Sequence, residues 1–193
     1  MNTNPYRLGG IAAFLSIALI AADTVITGVI SPANVPISSR LLNSAAALIL
    51  IPMLYALYVI YRDQAPTLSR VAWFEYLGAV ALFVTCLLAL NLRPLALYNF
   101  AFTAVNMLPS LLFGILIARQ LQSGMPRALG ILGIIAGVFG IVRYVLLTLG
   151  GGDWTNLSNP TLQPVIFLSY IGWIFLSVVW LIWAGVLLLR RRN

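Results

Sequence analysis

Three ionisable side chains fall inside long apolar runs of this sequence: Asp23, Glu75 and Arg143. A charge is costly in hydrocarbon, so such residues face a bundle interior, pair with one another or line a cavity. The chemistry open to them is ion pairing, polar-ligand binding or proton exchange. Asp23 and Arg143 each stand about fifteen residues past the inner boundary of an outward-running segment, roughly 22 Å at 1.5 Å per residue. Opposite charges at one level point to a pair. Thr103 and Asn106, just before Pro109, reach a similar height, and Asn43 joins them from the outer start of another run. Two readings are open: a pair that locks two helices, or a polar cavity open to the outer side. A buried ion pair is weak evidence for stability in either case. Glu75 sits about one turn inside the cytoplasmic end of its run, close to Arg70. That spacing predicts snorkelling to the interface and pairing with Arg70, with a proton relay as the alternative.

The residue types that are absent restrict the chemistry further. The chain has no His and no Lys, and Cys86 is its only cysteine. A Ser-His-Asp triad and a Cys-His dyad are therefore excluded. So are imidazole-ligated haem, His-containing zinc sites and a Lys Schiff base. No Walker-type phosphate loop is present. The expectation is a protein with no metal site, no cofactor and no catalytic residue. Acid–base work, if any, would fall to Asp23, Glu75 or a tyrosine.

The elements that position these residues follow from composition. Hydrophobic residues make up 62% of the 193-residue chain, charged residues 8%, and the mean hydropathy is +1.01. Soluble domains carry about 25% charged residues. Here lipid must be the main solvent. Interruptions divide the chain into six runs near the twenty residues that a spanning helix needs: about 8–30, 41–61, 71–90, 98–118, 128–149 and 164–189. They neither alternate in polarity nor shorten as β-barrel strands do. The fold class expected is all-α, a single polytopic transmembrane bundle of about six helices. Arg7, Arg62, Arg70, Arg119, Arg127 and the Arg190–Arg192 tail stand on one side, eight against Arg40 and Arg93 on the other. The positive-inside rule then places both termini in the cytoplasm. The same rule accounts for the net charge of +7 without a nucleic-acid partner. The first run exceeds a signal-peptide core and lacks a small-x-small cleavage site, so it reads as a retained helix.

Packing faces are visible too. Gly130, Gly133, Gly137 and Gly140 recur at spacings of three and four along one helix face, and Gly133–Gly137 is a GxxxG element. Arg143 extends that stripe. Ala13, Ser16, Asp23 and Thr27 follow similar spacing on the first helix, so direct packing of the two faces would bring Asp23 against Arg143. Trp173, Ser177 and Trp180 share a face of the sixth helix, either ordinary packing or a lipid, pigment or partner surface. Tyr6, Trp73, Tyr98, Tyr170 and Trp183 fall near run boundaries, as an aromatic belt would.

The stretch Ser123-Gly124-Met125-Pro126-Arg127-Ala128-Leu129-Gly130-Ile131-Leu132-Gly133 is a short Gly-Pro-Arg turn leading into a Gly-rich helix. Together with Arg7-Leu8-Gly9-Gly10-Ile11 it resembles an uncharacterised bacterial family of multi-spanning membrane proteins, a domain of unknown function. The resemblance implies bacterial origin and a six-helix plan, and it carries no activity.

These readings favour a non-enzymatic inner-membrane protein, either an accessory subunit or homo-oligomer or a small bundle holding a lipid or small apolar ligand. A transporter or channel component, and an intramembrane isomerase or lipid-modifying enzyme, are the alternatives.

Overall fold

The computed structural model describes residues 4–25, 37–88, 95–119, 125–150 and 159–191, with the side chains of 37–40, 86–88, 95–96 and 98–99 left aside. Its first helix begins at a cap. Asn4 Oδ1 accepts from the backbone N–H of Tyr6 at 2.8 Å and of Arg7 at 3.4 Å, which satisfies donors that a helix start leaves open. Helix α1 (Pro5–Val25) therefore starts three residues before the apolar run does. Helix α2 (Ile37–Tyr61) ends in a turn closed by Ala65 N–H donating to Tyr61 O at 2.8 Å. Pro66 then opens α3 (Pro66–Leu88), five residues before the expected start. Proline suits a first helical position because the N–H it lacks would have no partner there. Helix α4 is Leu95–Ala118 and α5 is Arg127–Leu149, the latter preceded by extended Pro126. Asn159 caps a short 3-10 turn (Pro160–Leu162) that feeds α6 (Gln163–Arg190).

All six helices are long and apolar enough to cross a membrane, and no strand occurs among the described residues. The architecture is the all-α bundle expected, and it fits an integral membrane protein. Each helix packs on its neighbours in the chain, and α6 returns to pack on α1, so the six close into a ring. Arg191 Cζ lies 5.2 Å from the centre of the Tyr6 ring, which puts both described chain ends at one end of the bundle. Tyr61, Tyr76, Phe83 and Phe113 are fully buried inside the ring. The Tyr76 hydroxyl donates to Ala47 O at 2.5 Å and ties α3 to α2.

The glycine stripe packs differently from expectation. Ring order inserts α6 between α1 and α5, so the stripe meets α4 instead. A Cβ on Gly130 would lie 2.2 Å from Ala118 N, one on Gly137 2.6 Å from Leu111 Cβ, and one on Gly140 2.2 Å from Met107 Cγ. The physical reason is reciprocity. Gly114 on α4 is itself tight against the α5 backbone, with a Cβ there falling 2.7 Å from Ile134 N. The short connection after Arg119 also makes α4 and α5 antiparallel neighbours. Lipid supplies no hydrophobic drive between helices, so such close backbone approach is what holds them. The small residues of α1 serve other neighbours, Gly9 meeting Met53 and Ala56 of α2 and Gly10 meeting Gly185 and Leu189 of α6.

Candidate functional site

Asp23, Asn43, Arg143 and Tyr170 come together from four helices, α1, α2, α5 and α6. Asn43 Nδ2 donates to Asp23 Oδ2 at 2.9 Å, joining α2 to α1. Arg143 on α5 lies with its guanidinium carbon 5.0 Å from the centre of the Tyr170 ring and 5.9 Å from that of Phe102. Cation–π contacts of this kind are worth most when desolvated. Tyr170, on α6, lies within electrostatic reach of both Arg143 and Asp23. It thus joins the same group of side chains. Thr103, on α4, is buried at 6% exposure. Asn106 donates to the Phe102 carbonyl of its own helix at 2.9 Å.

An aromatic tier lies beneath the charges. Trp173 stands edge-on to Phe102 at 5.9 Å between centroids and tilted against Tyr170 at 5.9 Å. Arg143 therefore touches two of the rings that Trp173 touches, and Trp173 faces the next layer down.

That layer is a cavity of about 40 Å³ in the middle of the bundle. Its lining includes Ser16, Asn106, Ser110, Trp173, Ser177 and Trp180, with Tyr76 on the α3 side. Several of these polar groups are already engaged. Ser16 Oγ donates to Ala46 O at 3.3 Å, and Ser110 Oγ donates to Met107 O at 2.9 Å. Three are not. Trp173 Nε1, Ser177 Oγ and Trp180 Nε1 are buried with no hydrogen-bond partner. The two tryptophans are 7% and 2% exposed, so solvent outside the bundle does not reach them.

A buried donor without an acceptor costs about 1–3 kcal/mol, and three residues of this lining carry such unpartnered atoms. An indole N–H only donates, whereas a hydroxyl does both. The complementary occupant presents acceptors. At about 10–15 Å³ of such volume per water, the cavity has room for roughly three waters or a small group of similar size. The spacing Trp173-Ser177-Trp180 was the available signal in the sequence. It marks one helix face without saying what that face meets.

The remaining predicted residues lie elsewhere. Gly133 connects the α4–α5 seam to the cavity, since a Cβ there would lie 2.7 Å from Trp180 Nε1 and 2.8 Å from Ser110 O. Glu75 and Arg70 are not brought together. Arg70 is exposed, whereas both Glu75 carboxylate oxygens are buried and accept no hydrogen bond. The exposed ion pair at this end of the bundle is Arg62–Asp63 at 3.7 Å. Tyr55, Tyr58 and Trp73 form a ring cluster between α2 and α3, with centroids 5.5 to 6.2 Å apart. No group of three or more His, Cys, Asp or Glu side chains gathers as a metal site among the described residues. Comparison of the chain with known protein families, with curated proteins and with solved structures finds no match.

Proposed function

We propose that this protein is a non-enzymatic binding bundle of a bacterial inner membrane, with both termini cytoplasmic. Its central cavity holds a small neutral molecule, or the polar end of one, through hydrogen-bond acceptors. The observation that carries this reading is that three residues on one 40 Å³ cavity, Trp173, Ser177 and Trp180, each carry a buried polar atom without a hydrogen-bond partner. Neutrality is favoured because Asp23 and Arg143, the charges above the cavity, are of opposite sign and share one neighbourhood. Access runs from the outer side, past Tyr170 and Phe102. The arginine-bearing end faces the cytoplasm on the ground of the charge asymmetry.

The test is extraction in native lipid discs, followed by mass spectrometry of everything that co-purifies. The expected result is one carbonyl- or ether-bearing small molecule at fixed stoichiometry. Removing one neutral hydrogen bond of about 1–1.5 kcal/mol weakens binding roughly tenfold. Trp173→Phe and Trp180→Phe are each expected to lower occupancy by that factor while leaving the protein folded. A preparation with no such molecule, or with occupancy unchanged in both variants, overturns the reading. Recovery of fixed partner subunits in its place would assign the bundle to a larger assembly.

A further inference from the structure

Glu75 takes no part in the cluster or cavity just described, and it is the only glutamate in the chain. Because α3 begins at Pro66, Glu75 lies nine residues into the helix, about 13 Å along its axis. It therefore lies more than two turns from the helix start. Both of its oxygens are enclosed by protein and neither accepts a hydrogen bond.

Among the described residues the surroundings offer no compensating charge. On its own helix the nearest ionisable residues are Tyr76, whose hydroxyl is committed to Ala47 O, and Arg70, which is exposed. The helices packed on α3 are α2 and α4. Those of α2 bring Tyr55, Tyr58 and Tyr61 to this half of the bundle, and Arg40 belongs to its opposite end. α4 carries no charged residue, and its one titratable side chain, Tyr98, belongs to its far end. An ionised carboxylate enclosed without a partner costs several kcal/mol. A neutral carboxyl costs much less, since only a polar group is then buried.

We propose that Glu75 is a proton-binding site within the membrane, exchanging its proton with the end of the bundle that carries Arg62 and Arg70. That end is the nearer one along α3. The site stands apart from the binding cavity and does not rest on the function proposed for it.

Because Glu75 is unique, the unmodified protein tests the idea. Full-length protein made with glutamate labelled at the side-chain carboxyl carbon, placed in lipid discs, gives one carboxyl resonance to follow against pH. The expected result is the resonance of a neutral carboxylic acid at pH 7, converting to a carboxylate in a single step at higher pH. Dicyclohexylcarbodiimide, which reacts with protonated carboxyls in apolar surroundings, is expected to add one label at Glu75 and none in Glu75→Gln. A carboxylate resonance at pH 7 overturns the proposal, whether or not it responds to added sodium or potassium. A response would mean a metal cation in place of the proton.

Discussion

The α4–α5 seam and the central cavity lie side by side, yet one is packed until backbones touch and the other holds open space. Gly130 and Gly114 bring α5 and α4 so close that neither tolerates a Cβ without movement. A few ångströms away, Trp180 and Ser177 border a 40 Å³ void. An apolar void beside such a seam would be a packing remainder, and it would stay dry. This one is lined mostly by apolar side chains, together with Trp173, Ser177 and Trp180, whose polar atoms are buried without a hydrogen-bond partner. The contrast follows helix by helix: α4 meets α5 through facing glycines, whereas the void is bordered by α1, α2, α3, α4 and α6, whose facing side chains there are larger and partly polar.

Substitutions at glycine test this contrast, since each adds the same methyl group. The largest effect is expected at Gly130→Ala. The added Cβ would meet the Ala118 backbone, which cannot rotate away, so α4 and α5 must separate. Overpacking of this kind costs about 1–3 kcal/mol, readable as a lower unfolding midpoint in detergent. No change there would break the distinction between seam and cavity. Gly133→Ala is expected to come next and to affect both regions. Its Cβ would press on Trp180 Nε1 and on Ser110 O, and the indole is the group that can yield. Stability should fall by about 1–2 kcal/mol, and ligand occupancy should fall with it, a coupling that Gly130→Ala should not show to the same degree. The smallest effect belongs to Gly78→Ala, and its sign is opposite. Nothing lies within 4 Å of the position a Cβ would take, so the change leaves packing intact and gains helix propensity worth about 0.5–1 kcal/mol.

Run lengths were enough to anticipate six spanning helices, because the thickness of hydrocarbon leaves little freedom in their length. Helix starts were harder. Asn4 and Pro66 are polar or turn-forming residues outside the apolar runs, and the helices begin at them because caps, not hydropathy, set where a helix can start. α3 starts five residues before its apolar run, at Pro66. The glycine stripe was legible as a packing face, but a stripe says nothing of its neighbour. The reciprocal residue on α4 is the isolated Gly114, which forms no pattern. Asp23 and Asn43 were matched by depth alone, and the structure joins them at 2.9 Å. The donors of Trp173 and Trp180 could not be read as unpartnered from sequence. Lack of a partner belongs to the surroundings of a side chain, and those are decided only when distant segments meet.

The closure of the ring by α6 onto α1 bears on how the molecule is made. α6 follows the other five helices in the chain, and it alone supplies Trp173, Ser177 and Trp180. During synthesis the first five helices would form an open arc, with Ser16, Asn106 and Ser110 turned toward lipid or toward the insertion machinery. Only the arrival of α6, with Gly185 so close to α1 that a Cβ on it would lie 3.0 Å from Ala13 Cβ, closes the ring. An occupant drawn from the membrane thus has its widest entrance before the chain is complete, and loading during biogenesis becomes a route distinct from entry into the finished bundle.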